Sequence, residues 1–312
     1  MTALPIKIGV LGCSSIARRA VIPAIKECDN FILNGVASRD ENKAQLYADE
    51  FNTNSHSYDS LLRSDVDAIY VSLPVGLHYK WGKKTLEAGK HLLMEKTFTE
   101  THEQAKEIYD LANRLNLSCM EALMYEHHPV QKQIDSLLAK VGKIRYVEAS
   151  FGFPHFDNKD DIRYSRTLGG GAILDCLIYP LSFVFRVLGY DFIDCKPTIF
   201  YDDQTGVDER GYIHFEYKNA AANISYGFGH SYRNEVMVWG EDAVLKAKRA
   251  FSRTKHCTLP IEIWHNRQCD EYRVEKADHF LNMLHSFSQI VSSREVSGVD
   301  TLRRLSFIGG IK

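Results

Sequence analysis

The sequence predicts an α/β protein with two parts. The first is a doubly wound parallel sheet. The second is an α+β domain with an open, mostly antiparallel sheet. Three observations lead there. Up to about residue 125, short apolar runs alternate with helical segments, as in a parallel sheet covered on both faces. After Lys143, extended segments follow one another with few helices between them, which reads as antiparallel sheet. The chain has 312 residues, enough for two domains of ordinary size.

The elements follow in order. IKIGVLG (Ile6–Gly12) is a buried strand ending in glycine, and SSIARRAVIPAIKEC continues as a helix with serine near its start. FILNGVASR, DAIYVSLP, HLLMEK and LSCMEALMY read as the next strands. ENKAQLYADEF, HYKWGKKTLEAGK and THEQAKEIYDLANRLN read as the helices between them. In the second part IRYVEASFGF, CKPTIFY, GYIHFEY, AANISYGFG, EVMVWG and EYRVEK are extended, interrupted by one long helix that begins near GGGAILDCLIYP. DHFLNMLHSFSQIVSS has Phe280, Leu284 and Phe287 at helical spacing and is expected to pack back on the body. No repeat or low-complexity linker separates the parts. The expected division is 1–125 and 126–312.

Composition narrows the function. Hydrophobic residues make up 45% and charged residues 25% of the chain, and the net charge is −2, so the basic footprint of a nucleic-acid binder is missing. The N-terminus lacks a basic region followed by a signal-type apolar core, and no run of about 18 apolar residues suggests a membrane span. Seven scattered cysteines without a C-x-x-C pair fit free thiols and a cytoplasmic setting. His127–His128 is the only adjacent histidine pair, and neighbours on a helix diverge, so no metal site is expected.

Four constellations could carry chemistry. In the turn after the first strand, Gly12, Cys13, Ser14, Ser15, Ile16 and Ala17 fill a G-x-G-x-x-G/A fingerprint with serine at the second glycine. Such a turn presents backbone amides at a helix start to a pyrophosphate. At the end of the second strand, Ser38 and Arg39 stand where an acidic residue would take a ribose 2′-hydroxyl. A guanidinium and a hydroxyl suit a 2′-phosphate, which favours NADP(H) over NAD, with Asp40 blurring the choice. Glu95 and Lys96 end the strand HLLMEK, at the edge of a parallel sheet where ligands bind, and a lysine there can donate to a substrate oxygen. Asp175 and Tyr179 lie four residues apart, on one helix face, directly after Gly169–Gly171. A phenol is an acid at neutral pH, so Tyr179 could deliver a proton while Asp175 holds a hydroxyl. Each has an ordinary alternative: an empty structural turn, a solvated arginine or lysine, a core tyrosine satisfied internally.

IGVLGCSSIA, VASRD, SLPVGLHYKWGKKTLEAGKHLLMEK, EALMYEHHP and GGGAILDCLIYP together resemble the Gfo/Idh/MocA oxidoreductases along nearly the whole chain. GCSSIARRAVIPAI, DIRYSRTLGGGAILD and tyrosine at position 179 are most similar to the nucleotide-sugar 3-ketoreductase branch. The resemblance implies a Rossmann domain followed by an open antiparallel sheet. It implies that Lys96 is the lysine of the family's E-K-P motif, and that Asp175 and Tyr179 fill its D-x-x-x-H/Y positions. Tyrosine in place of histidine suits ketone reduction, which needs a proton donor.

The reading that follows is an NADPH-dependent reductase of a keto-sugar, expectedly a nucleotide-linked 3-keto-deoxyhexose. Catalysis is assigned to Lys96, Tyr179 and Asp175. Cofactor contacts are assigned to Gly12, Ser14, Ser15, Ile16, Ser38, Arg39, Leu73, Pro74, His78, Glu95, Lys96 and Arg163. A sugar or trans-dihydrodiol dehydrogenase is the alternative. A cofactor-binding regulatory protein is disfavoured by the presence of both Lys96 and Tyr179. The second sheet is expected to mediate homo-oligomerisation. Three positions depart from the family pattern: Ser14 for glycine, Thr97 for proline and Leu177 for glycine.

Overall fold

The computed structural model describes residues 4–158, 160–296 and 298–312. The chain divides into two compact units, Met1–Met124 with Phe280–Gly310, and Tyr125–His279. The C-terminal helices therefore belong to the first unit, not to the 126–312 domain expected from sequence. Their apolar faces complete the first unit's core.

In the first unit, β1 (Ile6–Leu11), α1 (Ile22–Glu27), β2 (Phe31–Ala37) and α2 (Glu41–Phe51) come first. β3 (Ser55–His56), α3 (Tyr58–Leu62), β4 (Ala68–Val71), α4 (His78–Glu87), β5 (His91–Glu95), α5 (His102–Leu115) and β6 (Cys119–Ala122) follow. Their sheet is parallel throughout, in the order β3-β2-β1-β4-β5-β6. Chain direction across the sheet reverses at β1 and β4, the switch point where such sheets bind ligands. β4 is buried along its whole length, as a strand covered on both faces must be. β3 and α3 are too short to give a readable period, and the sequence reading missed them.

In the second unit, α6 (Pro129–Leu137) leads into β7 (Ile144–Phe153) and the long central helix α7 (Ile178–Leu188). β8 (Asp194–Tyr201), β9 (Asp208–Glu216), β10 (Ala221–Phe228), β11 (Arg233–Gly240), β12 (Val244–Lys248), β13 (Ile261–His265) and β14 (Gln268–Tyr272) complete an eight-stranded sheet. Its pairings are antiparallel except for β7 with β10. Val147, Ala149, Ile213, Phe215, Ala222, Ile224, Val236 and Val238 are buried along alternate positions of four strands, the period-two pattern of a half-covered sheet. The register puts Trp239 opposite Tyr146, and Met237 opposite Glu148, on the other face. EYRVEK proves a strand only as far as Tyr272, and α6, β12 and β13 escaped the sequence reading. Segment Arg166–Leu188 is apolar and long enough to cross a membrane, but 78% of its most apolar window is buried within the fold. It is a core helix.

The chain returns to the first unit with α8 (His279–Ser293) and α9 (Val299–Ile311). Met283, Leu284 and Phe287 are fully buried, and the Phe287 ring stacks on Phe31 at 6.1 Å. α9 contributes Arg304, whose Nη2 donates to Glu121 Oε2 of β6 at 2.8 Å. Side chains of both are nearly sealed, at 6% and 4% exposed. Thr301 Oγ1 donates to the same oxygen at 2.8 Å, and the Phe98 amide donates to Glu121 Oε1 at 2.9 Å. A buried carboxylate is tolerated only with such partners.

Removing one member of a buried pair strands the other charge. Arg304→Ala is therefore expected to cost about 3–5 kcal/mol in urea unfolding, with Arg304→Lys recovering part of it. A loss below about 1 kcal/mol would show that the pair is not the bond it looks like.

Candidate active site

In the first unit, the predicted residues gather at the carboxyl ends of adjacent strands. Gly12 has φ +115°, and a Cβ there would collide with the Ser72 carbonyl oxygen. Only glycine lets the β1 turn pass so close to the end of β4. The Gly12 amide donates to the Ala37 carbonyl of β2 at 2.9 Å, which ties the turn to the next strand. Ser14 Oγ and Ser72 Oγ share a hydrogen bond of 2.5 Å, and Ser14 Oγ also accepts the Ala17 amide at 3.1 Å. Serine at the second glycine position is thus an N-terminal cap and a bridge across the switch point. Ser15 is exposed and Ile16 partly so, where the helix begins. Cys13 beneath them is buried, its thiol pushed up to about 11 by burial.

Ser38 is buried and accepts the Asp40 amide at 3.1 Å. Arg39 is exposed and makes no ion pair among the described residues. Asp40, which complicated the cofactor choice, caps α2: its Oδ1 accepts the amides of Asn42 and Lys43 at 3.0 and 3.2 Å. Its carboxylate is engaged by the helix start, which leaves the guanidinium as the group presented at the end of β2.

Leu73 and Pro74 follow β4, and Glu95 and Lys96 end β5. His78 was expected in the pocket wall, yet it is buried. Its Nε2 lies 2.7 Å from the Leu73 carbonyl, and its Nδ1 lies 3.0 and 3.3 Å from the carbonyls of Thr97 and Phe98. Its ring sits between the β4 loop and the β5 loop. Glu95 is half-buried, its pKa raised by desolvation, and takes a hydrogen bond from the hydroxyl of Tyr70. Its other oxygen accepts the Lys96 amide at 3.2 Å. Lys96 is half-buried, and the Lys96–Thr97 peptide bond is cis. The segment that carries Lys96 is held by His78 on its carbonyls and by Glu121 on the Phe98 amide.

The second unit carries the other two catalytic candidates. The glycine run fits its neighbours closely. A Cβ on Gly171, which has φ +115°, would strike the Asp208 carboxylate, and one on Gly170 would come within 2.5 Å of the Arg163 carbonyl oxygen. Asp208 Oδ2 accepts the Ile173 amide at 2.5 Å, so it caps the helix that follows. Ile173–Leu177 forms a π-helical turn, as does Ala17–Val21. Each is followed by a proline, Pro180 or Pro23. Proline has no proton to give the preceding turn, so that ladder is already interrupted and widens cheaply. Leu177 is buried in the wider turn.

Asp175 is half-buried and takes a 2.7 Å hydrogen bond from Arg163 Nε, while Arg163 Nη1 reaches Asp161 Oδ1 at 3.1 Å. The guanidinium carbon lies 4.4 Å from the Phe156 ring centroid. Arg163, expected to reach the cofactor, spends its charge on Asp175 and Asp161. Tyr179 is 5% exposed. Its ring lies 4.7 Å from that of Phe151, 5.9 Å from Tyr125 and 6.1 Å from Phe251. The Tyr125 hydroxyl bonds Ser182 Oγ at 2.6 Å, and Ser182 donates to the Tyr179 carbonyl at 2.8 Å, so the tyrosine's backbone is held as well.

Sequence reasoning missed Ser72, Glu121, Thr301 and Arg304. The signal for Glu121 was present, a single carboxylate inside the apolar run CMEALM. The seven cysteines are free, as expected. Among the described residues no cluster of three or more histidine, cysteine or acidic side chains could hold a metal ion.

The comparisons with known proteins agree with this geometry. The Gfo/Idh/MocA oxidoreductase family with its NAD-binding Rossmann fold matches residues 6–123, and that family's C-terminal domain matches residues 132–246. The chain belongs to the Gfo/Idh/MocA oxidoreductases. It is 34% identical over 301 residues to a dTDP-3,4-didehydro-2,6-dideoxy-alpha-D-glucose 3-reductase of Saccharopolyspora spinosa, covering 95% of this chain and 90% of that one. It is 30% identical over 302 residues to D-xylose 1-dehydrogenase (NADP(+)) 2 of Haloferax volcanii, covering 94% and 91%. Among solved structures, KijD10, a 3-ketoreductase from Actinomadura kijaniata in complex with NADP and TDP-benzene, superposes with a TM-score of 0.93 at 30% identity, covering 98% and 96%.

Three histidines of the second unit titrate below their ordinary range. His127, His128 and His279 are each lowered to about 4, by burial first. His128 Nδ1 accepts the Val130 amide at 3.0 Å and so caps α6, which requires the neutral ring. Folded-state values below the unfolded value of about 6.5 mean that the unfolded chain takes up the extra protons. Stability is full above about pH 6.5 and drains as pH falls towards about 4. His128→Asn, which keeps an accepting oxygen, is expected to flatten the fall of melting temperature between pH 6.5 and 4.5. An unchanged slope would remove His128 from the account.

Proposed function

We propose that the chain is an NADPH-dependent reductase of a keto-sugar, specifically a nucleotide-linked 3-keto-deoxyhexose. The observation that carries the reading is the joint presence of Lys96 at the end of β5 and Tyr179, rather than histidine, after the glycine run. The similarity to 3-reductases over nearly the full chain supports the substrate class.

The turn at Gly12 fits a dinucleotide: backbone without side chain at the switch point, followed by a helix start. Arg39, with Ser38, would take a 2′-phosphate, consistent with the NADP bound by KijD10. NADPH, when bound, supplies the hydride. The Tyr179 phenol gives its proton to the oxygen of the carbonyl being reduced and is reprotonated from solvent. The Lys96 ammonium donates a hydrogen bond to that oxygen and offsets its growing negative charge. Asp175, paired with Arg163, accepts from a neighbouring sugar hydroxyl and fixes the ring's orientation. The rings of Phe151, Tyr125 and Phe251 pack around that of Tyr179 and hold it in place.

The oxidative alternative is kept by the D-xylose dehydrogenase relative. Turnover of NADP⁺ with aldoses, at a rate exceeding keto-sugar reduction, would favour it. We also propose that the exposed sheet face, where Tyr212 and Trp239 lie 44% and 55% exposed, is covered by a second copy. A monomer in sedimentation at micromolar concentration would contradict this.

Tyr179→Phe removes one oxygen and keeps the ring packing. It is expected to lower kcat by about 100-fold or more, leaving NADPH affinity and melting temperature unchanged. Unaltered turnover would remove Tyr179 as the proton donor.

A further inference from the structure

Between Asp242 and Glu262 the sequence has no acidic residue, yet it holds Lys246, Lys248, Arg249, Arg253, Lys255 and His256. In a chain of net charge −2 this is a concentrated positive segment. β12 carries the first two, and the loop from β12 to β13 carries the rest.

The loop is anchored beside the proposed proton donor. Phe251 is fully buried, with its ring 5.2 Å from Tyr125 and 6.1 Å from Tyr179. Its amide donates to Asn234 Oδ1 at 2.9 Å, and the Ala250 carbonyl accepts from Gln131 at 2.7 Å. Arg249 and Arg253 flank Phe251 by two residues on either side, so the charges ride on the segment that packs against the tyrosine.

The two arginines differ. Arg249 is exposed, its guanidinium carbon 5.5 Å from the Tyr232 ring centroid. Arg253 is 2% exposed. It donates from Nη1 to the Leu259 carbonyl at 2.8 Å and from Nη2 to the Lys248 carbonyl at 3.1 Å, while its Nε has no partner. Among the described residues neither arginine, nor the exposed Lys255, pairs with a carboxylate. A buried guanidinium facing only neutral carbonyls is costly, and an anion at the loop would offset that cost. Two other cations lie on or near the helix of Tyr179 and both have acidic partners: Arg163 pairs with Asp161 and Asp175, and Arg186 lies 3.6 Å from Asp135.

We propose that loop 249–256 is the diphosphate-binding element of the substrate site. Arg249 and Lys255 receive the phosphates of a nucleoside-diphosphate-linked sugar, and Arg253 supplies buried positive charge beneath them. This rests on the keto-sugar reading and specifies how its substrate is held: by the charged handle, while Tyr179 works on the sugar. Salt weakens such contacts by screening.

The test is calorimetric titration of the NADPH-saturated protein with thymidine diphosphate, and separately with inorganic pyrophosphate, at two salt concentrations. The Arg249→Ala/Lys255→Ala double variant is expected to bind thymidine diphosphate at least about tenfold more weakly, with a shallower salt dependence. Its NADPH affinity and melting temperature should match the wild type, and Arg249→Lys should lose less than Arg249→Ala. Equal thymidine diphosphate affinity in the double variant overturns the assignment. So does a parallel loss of NADPH affinity, which would give the loop to the cofactor's own diphosphate. Wild type that binds no thymidine diphosphate but reduces an unlinked keto-sugar with NADPH defeats the loop proposal and leaves the reductase reading standing. Loop-dependent binding without reduction of any keto-sugar does the reverse.

Discussion

A carboxylate sealed from water at Glu121 is the constraint on which the catalytic end of the first unit depends. It is satisfied by Arg304, by Thr301 and by the Phe98 amide. The first two are on α9, and the third is two residues beyond Lys96. The arrangement couples the last helix of the chain to the peptide that carries the lysine. His78 grips the same segment through the Thr97 and Phe98 carbonyls. The role proposed for Lys96 requires the lysine to be in place before charge develops. These contacts fix the backbone of that segment on both its donor and acceptor sides.

The second unit solves a different problem. The proposed proton donor is enclosed by aromatic rings and carried on a helix whose start is crowded. Tyr179 is walled by Phe151, Tyr125 and Phe251, while the helix start is packed against Asp208 and the Arg163 carbonyl. The Asp175–Arg163 pair is the polar exception beside this aromatic wall. Arg163 is committed there, to Asp175 and Asp161.

Much of this was legible in the sequence, and the rest divides by range. Strand and helix periods are local properties, so the alternation through residue 125 and the extended segments after Lys143 were readable. The places of Gly12, Lys96 and Tyr179 in the fold were readable because each stands at a junction between elements. What could not be read was partnership. Glu121 and Arg304 are separated by 183 positions, and nothing in either neighbourhood names the other. Arg163 looked like a ligand-binding arginine until its position against Asp175 was known. Asp40 looked like a competing ribose ligand until it proved to cap α2. The π turn at Ile173–Leu177 was invisible to a four-residue spacing rule, although Pro180 was its local cause.

In the proposed reaction, hydride arrives from the reduced cofactor at a sugar carbonyl carbon while the proton arrives through the enzyme. Incubating the protein with a nucleotide-linked 3-keto-deoxyhexose and NADPH deuterated at the transferable position, followed by NMR of the product, tests it directly. The account predicts one deuterium on the carbon that bears the new hydroxyl, on a single face. Product formed without deuterium at that carbon, or deuterium at any other, would contradict it.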